Sequence, residues 1–279
     1  MAILTISRQF GCGAEEIGAA IAKELGYEYV DRQKILDDMK QAGSQWEEKT
    51  KYFDENTPSV QERDDWSFLG FVALNQCIIL SHAMKNNQVI IGRGANFLLK
   101  GVKHHLGIRI EAPMESRIEK VISRYSVNTE NAKLLIDKAD SEMAGAVYTL
   151  YGREWNDKRE FTMSFDTNKN SPDEIKKNVM TALSEKDKLY SEESKNVIKL
   201  RLRAAEVKAG IATDPTFDSY HLSVSPKEEG MLQYGLVCKA GTYNHKDSSR
   251  LKEMAKKLAG DMPIDCDVRI RMQGRFSNR

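Results

Sequence analysis

Residues 2–31 read as a strand, a loop, a helix and a second strand, and this order constrains the chain more than any other feature. Ala2–Ser7 is an apolar, β-branched run, Arg8–Gly13 is a short loop with glycine at 11 and 13, Ala14–Gly26 has helical spacing, and Tyr27–Asp31 is again extended. A strand that feeds a tight loop at a helix N-terminus is how α/β folds hold phosphate: backbone N–H groups and the positive end of the helix dipole meet at the anion. The other reading of the same residues is a plain βα turn that uses glycine for positive φ.

The loop resembles a P-loop without its lysine. In GxxxxGK[ST] the lysine reaches the terminal phosphates and the hydroxyl residue ligands magnesium, whereas here Gly13 is followed by Ala14, Glu15 and Glu16. A second segment bears on the choice. Gln88–Ile91 is a short apolar run, predicted to be a buried parallel strand, and it ends in Gly92, Arg93, Gly94 and Ala95 before a helical stretch over 96–100. Ligands of open parallel sheets bind beyond the carboxyl ends of the strands, so Arg93 belongs beside the first loop if the two strands are neighbours. Its planar fork suits a phosphate; the alternative is a solvated surface arginine.

Four stretches in order, LTISRQFGCGAEEIGAAIAKELGYEYVDRQKI (4–35), VIIGRGANFLL (89–99), IRIEAPMESRIEKV (108–121) and FTMSFDTNKNSPDEI (161–175), resemble the cytidylate kinase-like family of P-loop nucleoside monophosphate kinases. The resemblance implies an α/β, P-loop kinase-like parallel sheet flanked by helices over residues 1–189. It also implies ATP and Mg2+ as cofactors and a nucleotide substrate, with no metal site built from protein ligands alone. Arg8, Gly11, Cys12, Gly13, Ala14, Glu15 and Glu16 are then the cofactor-binding loop. Asp31, Arg93 and Asp140 fall at the acceptor, and Arg93, Arg117 and Asp140 at the transfer step. The chain departs from the family pattern at several places: Cys12 for serine, Ala14 for glycine, Glu15 for arginine, Gly18 for alanine, and Met143 where the lid signature Asp-x-x-Arg ends. Glu15 sets a negative charge near a polyphosphate, and Met143 cannot neutralise charge in the transition state. By residue type alone, Arg117 and Arg124 read as an exposed helix face, and Tyr148, Tyr151, Trp155 and Phe161 as packing aromatics.

Composition is that of a globular chain, 41% apolar and 30% charged over 279 residues, and a net charge of +1 points to no nucleic-acid or membrane-surface partner. No run of about eighteen apolar residues and no basic, apolar leader is read in the sequence, so a cytoplasmic location and no membrane insertion are expected. Cys12, Cys77, Cys238 and Cys266 form no CxxC pair. Cys12 at a helix N-terminus has one route to a lowered pKa; the alternative is a small residue tolerated in a loop. His104 and His105 read as turn residues, and the mixed-charge stretch 40–66 as a mobile, acceptor-binding insertion.

After a linker at 190–196, residues 194–279 read as a small α+β unit of order αββαβ. Its elements are a helix over 196–209, strands over 220–224 and 231–238 around a Pro226–Gly230 turn, a helix over 248–259 stopped at Gly260, and a strand over 264–271. The pattern resembles a BON-like domain, a small module associated with ligand or membrane-surface contact, and a generic α+β sandwich describes it nearly as well. The intact amphipathic pattern and the absence of catalytic clusters point to a regulatory or self-association module and leave a homo-oligomer open. Two functions follow: ATP-dependent phosphoryl transfer to a nucleoside monophosphate, CMP or dCMP foremost, or a catalytically degenerate nucleotide-binding protein whose second unit reads out occupancy.

Overall fold

The computed structural model describes residues 1–43, 46, 48, 52, 66–214, 221–229, 232–242 and 244–270. Among these the chain divides into two compact units, Met1–Asp38 with Ser81–Lys195, and Met39–Leu80 with Asn196–Arg279.

The first unit is a five-stranded, fully parallel sheet. Its strands are β1 (Ile3–Arg8), β2 (Glu28–Val30), β3 (Gln88–Ile91), β4 (His105–Glu111) and β5 (Met163–Asp166), in the order β2-β3-β1-β4-β5. β1 is central and β3 lies directly beside it, Ile6 opposite Ile91, so the loops after both strands open at the same sheet end. A parallel strand covered on both faces reads as continuous apolar sequence, and Ile3, Leu4 and Ile6 are at most 1% exposed. On one face α1 (Ala14–Leu25) and α7 (Pro172–Asp187) bring Ile17, Ile21, Ala22, Ile175, Val179 and Leu183 onto the sheet. The start of α7 is fixed by a capping box between Ser171 and Glu174 with Pro172 in the first turn.

Further helices of this unit are α4 (Ala95–Leu98), α5 (Met114–Tyr125) and α6 (Thr129–Tyr151). Val121 of α5 packs with Ala132 and Ile136 of α6 in a small second core, against Phe10 of the first loop. His104 lies in the turn before β4, as expected, whereas His105 belongs to the strand. His105 opens β4 and its Nε2 shares a 2.7 Å hydrogen bond with Thr5 Oγ1, while His104 is fully buried with Nδ1 2.6 Å from Ser194 Oγ.

Two helices, α2 (Arg32–Gln41) and α3 (Trp66–Met84), bracket the stretch 40–66, and most of the predicted insertion lies outside the described residues. α3 contains no Asp, Glu, Lys or Arg and is long and apolar enough to cross a membrane by length and composition, yet 61% of its apolar window is buried inside the protein. The stretch read as a linker, 190–196, is largely helical, since α8 runs continuously over Glu192–Ala212, although the division between the two units falls within it, after Lys195.

In the second unit β6 (His221–Glu229) pairs antiparallel with β7 (Leu232–Thr242), and β8 (Ile264–Ile270) runs parallel to β7. α9 (His245–Ala259) follows β7, with Leu251, Ala255 and Ala259 buried. The helix, two strands, helix and strand expected from the hydrophobic pattern are therefore present in that order. The predicted turn at Pro226 is strand instead, because the backbone runs on to Glu229 through an irregularity between Lys227 and Glu228. A bulge of this kind absorbs a residue without ending the ladder.

Candidate active site

The loop between β1 and α1 has the backbone a phosphate cradle requires. Gly11 and Gly13 hold φ of 77° and 86°, in the left-handed region, and Gly13 immediately precedes the first turn of α1. The loop is tied down from three sides. Phe10 N–H donates to Asp140 Oδ1 at 3.0 Å, Gln9 Oε1 accepts from Ala112 N–H at 3.1 Å, and the Lys120 ammonium donates to the Cys12 carbonyl at 3.0 Å. Cys12 is fully buried, and burial pushes its thiol up to about 11, which overrides the helix terminus. It is therefore a packing residue, held beside the Ile110 carbonyl.

Glu15, whose charge opposes anion binding, is ion-paired: Arg8 Nε donates to its Oε1 at 2.9 Å. The pair cancels the carboxylate locally and at the same time occupies Arg8. A side chain on Gly92 would meet Arg8 Nη1 at 2.5 Å, so the guanidinium lies directly over the second loop.

That second loop is unusual. Gly92, Arg93 and Gly94 all have left-handed backbone, φ 76°, 58° and 70°, and for arginine this conformation costs roughly 1–2 kcal/mol. Tyr151 holds it: its hydroxyl donates to the Arg93 carbonyl at 3.0 Å, and its ring stacks on Phe97 at 5.1 Å. Burial, and then the positive charges of Arg32 and Arg8, push the Arg93 guanidinium down to about 10. A cluster that opposes its own charge in this way is a place where an added anion is stabilised.

Arg117 is not the exposed helix residue that residue type suggests. It is 5% exposed, and its Nη1 donates to Asp140 Oδ2 at 2.6 Å. Asp140 thus links α5, α6 and the first loop. Arg124, by contrast, is 61% exposed. Asp31 accepts from Lys34 N–H at 2.9 Å and caps α2. Tyr148 lies on the surface, 67% exposed, whereas Trp155 is buried. Of the predicted residues, the structure gathers Arg8, Glu15 and Arg93 at the ends of β1 and β3, and Arg117 and Asp140 against the loop.

Two residues passed over in the sequence belong to this region. Arg109, fully buried in β4, donates to Ser7 Oγ (3.1 Å), the Trp155 carbonyl (3.0 Å), Asn156 Oδ1 (2.6 Å) and Glu111 (2.7 Å), with Trp155 stacked 4.4 Å from the guanidinium. A charge set between Ile108 and Ile110 was its available signal. Lys120 is the other; with Arg117 and Arg124 it recurs at three- and four-residue spacing, one face of a helix. Beside the loop opens a cavity of about 690 Å3, lined by Gly11 and Gly13, by Lys120, Arg124 and Tyr125 of α5, and by the first turn of α7. Its size is that of a small-molecule or cofactor site.

The cytidylate kinase-like family matches this chain over residues 3–169. Curated relatives include the cytidylate kinase of Pyrococcus abyssi (strain GE5 / Orsay), 29% identical over 189 residues, which are 67% of this chain and 95% of that protein. The cytidylate kinase of Pyrococcus furiosus is 28% identical, over 66% of this chain and 90% of that protein. Among solved structures, an uncharacterized protein from Eubacterium ventriosum ATCC 27560 matches 66% of this chain and 99% of its own, with a TM-score of 0.53 at 16% identity. It shares the fold.

Proposed function

The chain belongs to the cytidylate kinase-like family, and on that premise we propose that it transfers the terminal phosphoryl group of ATP to a nucleoside monophosphate, with CMP or dCMP as the preferred acceptor. The observation that carries this reading is the pairing of two loops at one sheet end: a glycine cradle at a helix N-terminus, and beside it an arginine cluster whose own repulsion favours an anion. Amides of the 11–16 segment hold the ATP phosphates, and Arg93, with Arg8 beside it, holds the acceptor phosphate. Asp31 and Asp140 border the acceptor, the former at the cap of α2 and the latter midway along α6.

The chemistry asks little more of the protein. An acceptor phosphate oxygen is already a nucleophile at neutral pH; it attacks the terminal phosphorus of ATP, the bond to the β–γ bridging oxygen breaks, and ADP leaves. Catalysis is then positioning and charge neutralisation. Among the described residues no group of three or more His, Cys, Asp or Glu could hold a metal. Magnesium in such sites rides on the phosphates with one or two carboxylates; Glu15 and Glu16, in the first turn of α1, both line the cavity, and Glu15 is paired with Arg8, so Glu16 is the carboxylate that would meet the ion. Bound there with ATP, magnesium supplies charge neutralisation at the phosphates.

We infer a readout or self-association role for residues 194–279, supported by the amphipathic pattern of their elements, which an oligomeric-state measurement with and without nucleotide tests. The primary test is ADP production with ATP and magnesium against CMP, dCMP, UMP, AMP and GMP, with a no-acceptor control. Acceptor-dependent turnover is expected, largest with CMP or dCMP. ATP binding without turnover on any acceptor would refute the kinase and leave a nucleotide-sensing relative.

A further inference from the structure

We propose that Lys120 is the phosphate-binding lysine of this loop, supplied by α5 in place of the lysine that the loop itself lacks; the inference rests on the kinase reading above. The residue after Gly13 is Ala14, so the position that carries the lysine in GxxxxGK[ST] is uncharged here. Lys120 approaches the same place from outside. Its Nζ lies 3.0 Å from the Cys12 carbonyl and 2.7 Å from where a Cβ on Gly13 would stand. The ammonium therefore occupies the space over the loop that glycine leaves open.

The other cations at the loop are already committed to carboxylates. Arg8 is paired with Glu15 at 2.9 Å and Arg117 with Asp140 at 2.6 Å. The hydrogen bond of Lys120 goes to a neutral carbonyl, which leaves its positive charge uncompensated by that contact. An ammonium has three donors, so it can keep the Cys12 carbonyl and still donate to a phosphate oxygen. Lys120 also lines the cavity beside the loop together with Gly11, Gly13 and Arg124, so a phosphate chain seated there has the ammonium in its surroundings. Its residue is exposed at the cavity mouth, and the four-carbon stem can follow a ligand.

The test is calorimetric titration of the full chain with ATP, ADP and AMP at fixed ionic strength, for wild type, Lys120→Gln, Lys120→Arg and the surface control Lys133→Gln. Glutamine keeps a donor for the Cys12 carbonyl and removes only the charge. Lys120→Gln is expected to weaken ATP binding about tenfold or more, with the loss shrinking from ATP to ADP to AMP. Lys120→Arg should recover most of the affinity and Lys133→Gln none of the loss. An equal loss for all three nucleotides, or unchanged ATP affinity in Lys120→Gln, would make Lys120 a residue that packs the loop and overturn the proposal while the kinase reading stands. A wild-type chain that binds no ATP overturns both.

Discussion

Replacing Asp140 with alanine removes the carboxylate that joins α6, α5 and the first loop. Arg117 is left 6% exposed in its side chain without its 2.6 Å partner, and Phe10 N–H loses its 3.0 Å acceptor. The Arg117 Nε is buried without a hydrogen-bond partner even in the intact protein, so the guanidinium has little reserve. Breaking a buried ion pair from one side costs about 3–5 kcal/mol. Asp140 is 20% exposed, which lets water reach the vacated space and sets the expectation at the lower end, about 3 kcal/mol. For a unit of this size that lowers Tm by about 6–12 °C. Asp140→Asn keeps an acceptor for Phe10 and should recover about 1 kcal/mol of the loss. The double change Arg117→Met with Asp140→Leu should fall well short of the summed single effects, since an apolar pair of similar volume replaces a buried ion pair at little cost. Urea unfolding followed by fluorescence and circular dichroism measures all four proteins. Asp140→Ala within about 0.5 kcal/mol of wild type would refute the clamp. Acceptor affinity lost at unchanged stability would place Asp140 on the acceptor alone.

Other expectations are more direct. Arg93→Ala should weaken acceptor binding by about 1.5–3 kcal/mol, measured by calorimetry, with ATP affinity held; unaltered acceptor affinity would remove Arg93 from the acceptor site. Glu15→Gln should tighten ATP binding by about threefold, because it removes a negative charge near the loop and frees Arg8 for an anion; weaker binding would show that the ion pair itself shapes the cradle. Asp38 lies below its usual 3.8: burial opposes the shift, but hydrogen bonds from Lys34 and His82 outweigh it. Its contribution is thus fully present above about pH 4 and is lost as pH falls through the lowered value, so the stability deficit of Asp38→Asn at pH 7 should shrink steadily below pH 4 in acid titration. Gly70→Ala should destabilise by about 1–3 kcal/mol, since the new methyl would meet the Trp46 ring at 2.3 Å and the Ala212 carbonyl at 2.9 Å; an unchanged unfolding midpoint would contradict that packing.

Much of the fold was legible because it is written in local patterns. Largely apolar, β-branched runs at 2–6 and 89–91 are what a doubly covered parallel strand requires, and their adjacency brought the two glycine loops together as expected. The αββαβ order at the C-terminal end likewise follows from hydrophobic periodicity. Failures came where a tertiary partner outweighed residue type. His105 is a polar residue of the kind found in turns, but it opens β4, where its Nε2 shares a hydrogen bond with Thr5 inside the protein. Pro226 lacks a backbone N–H, yet it sits on β6, which is at the edge of the three-stranded sheet, where a missing donor is tolerated.

The site divides along the same line. Gly11, Gly13, Gly92 and Gly94 were readable as backbone positions because only glycine takes left-handed φ at no cost. The charges around them were not, since a side chain's role there depends on what it faces. Glu15 looks hostile to phosphate until Arg8 is found 2.9 Å away, and Arg117 looks solvated until Asp140, 23 residues on, is found holding it. Lys120 is the extreme case. It reaches the Cys12 carbonyl across 108 residues of chain, a contact that no local spacing can encode. The motif reading asked whether a lysine follows Gly13, but electrostatics asks only whether an ammonium reaches the loop. The second question is answered by the packing of α5 against Gly11, where a side chain would meet Val121 at 2.9 Å. A loop can therefore lose its own lysine and keep the charge, provided the neighbouring helix packs closely enough to bring one in.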